Sequence, residues 1–312
     1  MPSERPQICV VGSSNIDMIF RTTRLPRQGE TIAGQAFQLS HGGKGGNQAV
    51  AAARLGAQVT ILTKVGRDVF GEGIARAYRE EGIDTSRLLV DAARFTGVAS
   101  IAVDDEARNC IIVVPGANHG LSPQDVRAAS AAIRAAGLVL CQLEVPVETT
   151  LETFRLAKAA GVRTFLNPAP AAALPDELLR LTDLCVPNET ELESLTGLPA
   201  GTLEEAAAAA GRLLPRGPQT VIVTLGARGA LVVDTLGAEH IAPFAVEGVD
   251  PTGAGDAFIA GLAVFLAEGT PLPKAVRRAN AVAALSVTRL GTQVAYPTRA
   301  EVEAFLAGHG LQ

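Results

Sequence analysis

The segment Asp250-Pro251-Thr252-Gly253-Ala254-Gly255-Asp256 leads directly into the apolar run Ala257–Leu266. Small residues at 253–255 predict a turn that opens a buried helix, with backbone N–H groups free to bind an anion. A carboxylate beside a bound anion is costly unless a metal or a proton transfer accompanies it. An aspartate that accepts the proton of an attacking alcohol meets this condition. The alternative for this segment alone is a glycine turn whose acid favours the helix dipole.

On either side of this turn, short β-branched runs alternate with Ala- and Leu-rich helical patterns. This alternation is typical of βαβ units around a parallel sheet. Capping boxes at Ser122–Asp125 and Thr202–Glu205 predict two helix starts. The predicted buried strands are Ile8–Val11, Val59–Val65, Leu138–Leu143, Arg163–Leu166, Leu184–Val186, Gln219–Leu225 and Ala230–Val233.

Two regions, residues 14–40 and 95–115, break the βαβ rhythm. They predict antiparallel strands that form a small four-stranded sheet. A small sheet with one apolar face is marginally stable alone, so it should pack on the main domain, on a ligand or on a second subunit. The predicted strands of this sheet are Ile16–Thr22, Thr31–Leu39, Thr96–Val103 and Arg108–Val114.

Composition excludes several classes of protein. Hydrophobic residues make up 47% of the 312 residues, which is enough for a sizeable core. The net charge is −5 and no Lys/Arg-rich run occurs, so nucleic acid is not an expected partner. No stretch approaches the roughly 20 apolar residues of a membrane-spanning helix. The sequence therefore predicts a soluble, cytoplasmic protein.

The four cysteines are far apart, and each lies in an apolar stretch without a C-x-x-C pair. This pattern predicts buried thiols in a reducing compartment rather than a zinc site. The cysteines are Cys9, Cys110, Cys141 and Cys185.

A second glycine-rich segment, His41–Ala49, reads HGGKGGNQA and precedes an Ala-rich helix. It matches neither the P-loop spacing nor G-x-G-x-x-G, which removes the ordinary P-loop NTPase interpretation. Lys44 and Asn47 are suited to hold hydroxyls or a developing phosphate charge, and a mobile glycine loop is the alternative.

Further polar residues follow predicted strands, where open α/β sheets place ligand-binding side chains. Asn15 and Asp17 offer a mixed donor and acceptor face for vicinal hydroxyls, or else form an ordinary Asx turn. Glu144 follows the strand at Leu138–Leu143. Asn188 opens an N-E-T-E segment, for which a helix cap is the alternative interpretation. The two glycines of Thr224–Gly229 allow that turn to approach a nucleotide closely.

Together these segments resemble the ribokinase family of carbohydrate kinases, the phosphofructokinase-B-like sugar kinases. The resemblance extends from residue 8 to about residue 306, with the motifs in the family's order. The matching motifs are GGKGGNQAVAAARLGA (42–57), LNPAPA (166–171), PNETE (187–191), VTLGARG (223–229) and TGAGDAF (252–258).

The resemblance implies one doubly wound α/β domain over residues 1–312, with a mostly parallel sheet flanked by helices. Segments 14–40 and 95–115 would form a β lid, through which two chains would make a homodimer. The implied reaction is ATP-dependent phosphorylation of D-ribose at O5, with Mg²⁺ and K⁺ as cofactors. Alternatives are a kinase for deoxyribose, fructose or adenosine and a non-catalytic sugar-binding protein. Asn15 favours ribose, since deoxyribose lacks the 2-hydroxyl.

The resemblance also assigns site residues. Asp256 would be the catalytic base, and Gly253, Ala254 and Gly255 would form the anion hole. Glu191 would contribute to magnesium placement. The implied sugar pocket contains Asn15, Asp17, Gly43, Lys44, Gly45, Gly46, Asn47, Glu144 and Asp256. The implied ATP contacts are Asn188, Thr224, Leu225, Gly226, Ala227, Arg228, Gly229, Gly255 and Asn280. The implied monovalent-cation site contains Asp250, Thr252, Ser286, Arg289, Gly291 and Ala295.

Three positions depart from the family pattern. Pro251 replaces a Thr that is common in the turn, and Ala295 stands where a Ser often helps to bind potassium. Asn280 replaces a His that often lies near the adenine.

Overall fold

The strands and helices of the main body alternate along the chain, as the βαβ pattern predicts. The computed structural model describes residues 5–106 and 108–311. Within these residues the strands are β1 (Gln7–Val11), β2 (Asn15–Arg21), β3 (Ala36–Gly42), β4 (Gln58–Gly66), β5 (Leu88–Asp91), β6 (Gly97–Val103), β7 (Asn109–Val114), β8 (Leu138–Cys141), β9 (Arg163–Leu166), β10 (Leu184–Cys185), β11 (Thr220–Thr224), β12 (Ala230–Asp234) and β13 (Gly237–Ile241).

The helices flank the sheet, and two of them begin at the predicted capping boxes. Ser122 caps α3 together with Asp125, and Thr202 caps α8 together with Glu205. In the described part of the chain the helices are α1 (Lys44–Arg54), α2 (Val69–Glu80), α3 (Pro123–Ala128), α4 (Ser130–Ala135), α5 (Val147–Ala159), α6 (Asp176–Arg180), α7 (Glu189–Thr196), α8 (Leu203–Gly211), α9 (Ala254–Ala267), α10 (Leu272–Ser286) and α11 (Arg299–Gly308).

The main sheet has nine strands in the order β13-β12-β11-β10-β9-β8-β1-β4-β5. The strands from β11 to β5 are parallel, and β12 and β13 add two antiparallel strands at one edge. The direction of strand addition reverses at β1, which pairs with β4 on one side and β8 on the other. Open α/β sheets bind ligands at such a switch point, outside the carboxyl ends of the strands.

Each face of the sheet carries its own hydrophobic core. On β1, Ile8 and Val10 pack into the core that contains residues of α1, α9 and α10. Cys9 and Val11 point to the opposite core, which contains residues of α3, α5 and α8. Since side chains alternate along a strand, this division explains why the central strands are apolar on both faces.

Helix α9 is buried from Asp256 to Leu266, so it is apolar around its whole circumference. It packs against α1 and α10. Asp256 is the charged residue of this buried stretch, and the fold places it where the helices α1 and α9 meet at the carboxyl edge of the sheet.

The second sheet has four strands in the order β3-β2-β6-β7, as expected for the lid, but its predicted strand directions were partly wrong. The β2/β3 and β6/β7 pairs are antiparallel, whereas β2 and β6 are parallel. Both enter the lid from the main body, so they run in the same direction. The strand predicted at Thr31–Leu39 begins only at Ala36. Ala36 pairs with Arg21, the last residue of β2, so the residues before Ala36 lie beyond the end of the neighbouring strand.

Other details also differ from the sequence prediction. Strands β5 and β13 were not predicted, since both are short and β13 is largely polar and exposed. Cys9, Cys141 and Cys185 are buried as expected, but Cys110 is exposed. The prediction failed there because all six residues of β7 are exposed on the lid. In the described residues, no helix has the length and apolarity required to cross a membrane.

Candidate active site

Asp256 lies where α1 and α9 meet, and its carboxylate is held by two side chains of α1. Asn47 Nδ2 donates to Asp256 Oδ2 at 2.9 Å, and Gln48 Nε2 donates to Asp256 Oδ1 at 2.8 Å. Asp256 is 7% exposed, so these donors replace hydrogen bonds to water that burial removes. The structure therefore brings together the glycine-rich segment at 41–49 and the turn at 250–256, which the sequence separates by some two hundred residues.

A network of buried amides fixes the orientation of these two donors. Gln48 Nε2 also donates to Asn167 Oδ1 at 3.1 Å, and Asn167 Nδ2 donates to the carbonyl of Val186 at 3.1 Å. A backbone carbonyl only accepts, so the Val186 carbonyl must face the nitrogen of Asn167. The oxygen of Asn167 then faces Gln48, which must present its nitrogen to it. Gln142 Nε2 completes the partners of Gln48 by donating to its Oε1 at 2.5 Å. The result is that Gln48 presents nitrogen, not oxygen, to Asp256.

The start of α9 has the free donors that the sequence predicts, with one difference. Gly253 adopts φ 79°, and a Cβ there would lie 2.5 Å from Thr292 Cγ2, so this position requires glycine. The Ala254 N–H donates to the Pro251 carbonyl at 3.2 Å. The N–H groups of Gly253 and Gly255 donate to no described residue, so two of the three predicted anion-hole donors are free.

The start of α1 lies against the end of β1. Gly43 has φ 83°, and a Cβ there would lie 2.8 Å from the backbone nitrogen of Asn15. Glu144 Oε2 accepts the N–H of Lys44 at 2.9 Å and the hydroxyl of Ser13 at 2.5 Å. Glu144 thus pairs with the first N–H of α1, and its Oε1 accepts no hydrogen bond from a described residue.

Gly45 and Gly46 face the protein interior. The N–H of Gly46 donates to the Ser13 carbonyl at 2.8 Å, and a Cβ on Gly46 would lie 2.0 Å from the hydroxyl of Tyr78. A Cβ on Gly45 would lie 2.6 Å from the Ser13 nitrogen. Both glycines therefore allow α1 to approach β1 and α2 closely.

Negative charge exceeds positive charge at this edge of the sheet. Burial raises the pKa of Asp17 to about 6, and the carboxylates of Glu144 and Asp256 act in the same direction. Burial also raises the pKa of Glu191. Burial disfavours the charged form of Lys44, but the carboxylates of Asp256, Glu144 and Glu191 outweigh this effect and raise its pKa. Lys44 therefore remains charged as the ammonium group amid several carboxylates.

The predicted nucleotide-binding segments lie side by side. Asn188 and Thr224 form a parallel β-bridge, and the Thr224 N–H donates to the Pro187 carbonyl at 2.9 Å. Asn188 caps α7 through a reciprocal capping box with Glu191, which bears out the helix-cap alternative. A structural cap and a ligand contact are compatible, because Asn188 Nδ2 donates to no described residue.

Two other predicted nucleotide contacts already have protein partners. Arg228 forms an ion pair with Glu189 at 2.8 Å and donates to the Gly201 carbonyl at 2.8 Å. Asn280 Nδ2 donates to the carbonyls of Ile241 and Ala242 at 3.3 and 3.1 Å, which leaves its Oδ1 for a ligand.

The residues of the predicted cation site surround the loop that precedes α9. Asp250 accepts the N–H of Thr252 at 2.9 Å and that of Gly291 at 3.0 Å, and thereby joins two loops. The carbonyls of Thr252, Arg289 and Gly291 accept no hydrogen bond from any described residue. Unpaired carbonyls are suitable ligands for a monovalent cation. Ala295 is buried and supplies no side-chain oxygen.

Several residues of the site were missed by the sequence analysis. Gln48 lies one turn after Lys44 on the same side of α1, and Gln142 interrupts the apolar run Leu138–Leu143, so both carried a signal. Asn118 and Gln293 carried none, because their roles arise only from contacts distant in sequence. Asn118 Nδ2 donates to Asn15 Oδ1 at 2.7 Å, and Gln293 Nε2 donates to Asn47 Oδ1 at 3.0 Å.

Comparisons with known proteins show which family this chain resembles. Residues 5–299 match the pfkB family carbohydrate kinase. The chain is 41% identical over 302 residues to a ribokinase from Haemophilus influenzae, covering 97% of this chain and 99% of that protein. It is 40% identical to a deoxyribokinase from Salmonella typhi, covering 96% and 98%. The structure of Arabidopsis thaliana ribokinase complexed with ribose and ATP matches with a TM-score of 0.91 at 34% identity, covering 97% and 99%.

The chain belongs to the pfkB family of carbohydrate kinases. It is an enzyme, a sugar kinase of the ribokinase family, and the predicted fold class is confirmed. Use of ATP is supported by the nucleotide bound to the plant relative.

The amide network should contribute strongly to stability. We expect Gln48→Leu to lower the free energy of unfolding by roughly 2–4 kcal/mol, because it leaves buried partners on Gln142, Asn167 and Asp256 unsatisfied. Gln293→Leu removes one hydrogen bond and should cost about 1 kcal/mol. Urea unfolding of both variants gives the comparison. Equal losses would show that Gln48 is not the centre of the network.

Proposed function

We propose that this enzyme transfers the γ-phosphoryl group of ATP to O5 of D-ribose, with Asp256 as the catalytic base. The observation that carries the proposal is the position of Asp256 at the start of α9. There its carboxylate is oriented by Asn47 and Gln48 beside the free N–H groups of Gly253 and Gly255. A proton acceptor and an anion-binding helix terminus at one point suit phosphoryl transfer to an alcohol.

The pocket for the sugar would lie between the end of β1, the start of α1 and the end of β8. Asn15 and Asp17 project from one face of β2, since they are two residues apart on a strand. Asp17, with a pKa of about 6, is ionised at neutral pH and accepts hydrogen bonds from hydroxyls. The free oxygen of Glu144 and the ammonium of Lys44 add an acceptor and a donor.

The proposed reaction has a simple balance. O5 bonds to the γ-phosphorus, the bond from that phosphorus to the bridging oxygen breaks, and ADP leaves. An alcohol is a far weaker acid than a carboxylic acid, so an early proton transfer to Asp256 is unfavourable. In a loose transition state the nucleophile is bonded only slightly, so the proton moves late. Asp256 first orients the hydroxyl and then receives its proton. The free N–H groups of α9 stabilise charge on the transferred group.

Magnesium fits the charge of the site. Carboxylates outnumber the ammonium of Lys44 here, and a nucleotide triphosphate adds further negative charge, so a divalent cation would offset the repulsion. The described residues contain no cluster of three or more His, Cys, Asp or Glu that could hold a metal ion. Mg²⁺ bound largely by substrate phosphates needs only one or two carboxylates, and Glu191 is the proposed contributor.

We also propose a monovalent-cation site at the loop before α9. The carbonyls of Thr252, Arg289 and Gly291 would hold K⁺ together with Asp250 and the carbonyl of Ser286. A cation bound there would stabilise the turn that carries the anion-binding N–H groups. The apolar side chain of Ala295 reduces the number of oxygen ligands.

The second candidate substrate is 2-deoxyribose, because a deoxyribokinase is 40% identical to this chain. Asn15 favours ribose, since its amide offers a hydrogen-bond partner that a sugar without the 2-hydroxyl leaves unused. A buried polar group left unpaired costs about 1–3 kcal/mol.

The lid is the proposed dimer interface. Its exposed apolar side chains are too numerous for a free surface of this size. Phe37 is 57% exposed and Ile112 is 63% exposed. The exposed apolar residues of the lid strands are Phe20, Phe37, Leu39, Ile111, Ile112, Val113 and Val114.

The substrate proposal is tested by coupled turnover assays with ribose, 2-deoxyribose, fructose and adenosine, each with and without potassium. We expect kcat/KM for ribose to exceed that for 2-deoxyribose by at least about tenfold. Potassium should raise activity with every accepted sugar. Preference for another sugar would overturn the assignment of the pocket but not that of Asp256.

The base assignment is tested by Asp256→Asn. We expect kcat to fall by about 10²–10⁴-fold, because the variant has no group to receive the proton. Ribose affinity, measured by calorimetry, should change by less than about threefold. Asp234→Asn, on β12, serves as the control and should retain full activity. An Asp256→Asn enzyme with normal turnover would refute the assignment.

The dimer is tested by sedimentation equilibrium. Ile112→Asp should shift the enzyme to a monomer, because it places a charge in the apolar lid surface. Val90→Asp, at a residue of β5 that is 54% exposed outside the lid, should leave the dimer intact. A monomeric wild-type enzyme would disprove the proposal.

A further inference from the structure

Asn118 lies in the 3₁₀ turn Gly116–Gly120, which follows the last lid strand, β7. Its side chain is 1% exposed and reaches the end of β1. Asn118 Oδ1 accepts the N–H of Ser14 at 2.9 Å. Its Nδ2 donates to the carbonyl of Ser14 at 3.2 Å and to Asn15 Oδ1 at 2.7 Å. The amide of Asn118 is thus fully paired with two residues that adjoin the sugar pocket.

These contacts fix the orientation of the Asn15 amide. A backbone N–H only donates, so the Ser14 N–H must face the oxygen of Asn118. The nitrogen of Asn118 then faces Asn15, where only an oxygen can accept from it. Asn15 Nδ2 is therefore directed away from Asn118 and donates to no described residue. The backbone of Ser14 determines which end of Asn15 is free.

The lid holds this pair of amides in place. Gly97, the first residue of β6, pairs with Asn15 in the lid sheet. A Cβ on Gly97 would lie 2.2 Å from Asn15 Oδ1 and 2.3 Å from Asn118 Nδ2. Because the backbone of β6 packs so closely against both amides, neither side chain has space to move away from the other.

The polarity of Asn15 matters because of its neighbour Asp17. An ionised carboxylate only accepts hydrogen bonds. A sugar hydroxyl has a single hydrogen, so a hydroxyl that donates to Asp17 must find a donor, not a second acceptor, in its other neighbour. With its nitrogen free, Asn15 is that donor.

We propose that Asn118 is a positioning residue for substrate selectivity: it holds Asn15 as a hydrogen-bond donor and so makes the enzyme select sugars that carry a hydroxyl between Asn15 and Asp17. The proposal rests on the proposed function, in which both residues line the sugar pocket. Asn118 itself need not touch the sugar.

The test is Asn118→Leu, which keeps the branching at Cγ but has no hydrogen-bonding groups. We expect KM for ribose to rise roughly tenfold, because the Asn15 amide is then free to turn its oxygen toward the sugar. The KM for 2-deoxyribose and the kcat for ribose should each change by less than about threefold. The preference for ribose over 2-deoxyribose therefore falls about tenfold. Equal losses with both sugars would indicate a purely structural role and overturn the proposal.

Two control variants separate positioning from damage to the fold. Thr149→Val removes the hydrogen bond from Thr149 Oγ1 to the Leu121 carbonyl, which supports the same turn without contacting Asn15. It should leave the preference for ribose unchanged. In an Asn15→Leu background, Asn118→Leu should cause no further loss of preference, since it acts through Asn15. A further loss in that background would contradict the proposal.

A measurement without sugar distinguishes failure of this proposal from failure of the proposed function. In enzyme labelled with ¹⁵N-asparagine, both side-chain N–H groups of Asn118 should exchange slowly with solvent, whereas those of Asn15 should exchange rapidly. Signals are assigned by their loss in Asn118→Leu and Asn15→Leu. Slow exchange at Asn15 and rapid exchange at Asn118 would overturn the orientation, whichever sugar the enzyme prefers.

Discussion

The carboxylate of Asp256, buried where α1 and α9 meet, is the group on which the arrangement of this site depends. Removing a carboxylate from water is costly unless protein donors replace the lost hydration. Asn47 and Gln48 supply those donors at 2.9 and 2.8 Å. Their own partners are Gln142 just after β8, Asn167 just after β9, and Gln293 near the end of the chain. The position of the proposed base is therefore fixed by elements from the whole length of the chain.

Close backbone approach makes this arrangement possible. Gly43 allows α1 to begin against the end of β1, and Gly253 allows α9 to begin against Thr292. Both positions combine a positive φ with contacts that a Cβ would not permit. The two glycine segments thus bring two helix N-termini to one edge of the sheet. At the start of α9 the N–H groups of Gly253 and Gly255 have no partner among the described residues, and they favour negative charge there, which suits an enzyme that handles phosphate.

The lid is joined to the same edge by polar contacts at its base. Asn118, which follows the lid, bonds to Ser14 and Asn15, where β2 begins. Asp68, before α2, accepts the N–H of Thr96 at 2.8 Å and its hydroxyl at 2.7 Å, where β6 begins. The proposed substrate-binding residues and the lid strands therefore share one hydrogen-bonded base.

The sequence alone determined the α/β class, the central strands and the polar segments of the site, because hydrophobic period and glycine turns are local properties. It placed Asp256 at a helix start and identified Lys44, Asn47 and Glu144 as polar residues at the ends of elements. Only the tertiary structure decided the parallel pairing of β2 with β6 and the exposure of Cys110. It alone showed the roles of Asn118 and Gln293. The pairing of Asn15 with Gly97 joins residues 82 positions apart, and the contacts of Asn118 with Asn15 and of Gln293 with Asn47 span 103 and 246 positions. No local pattern encodes which distant group a strand or an amide will meet.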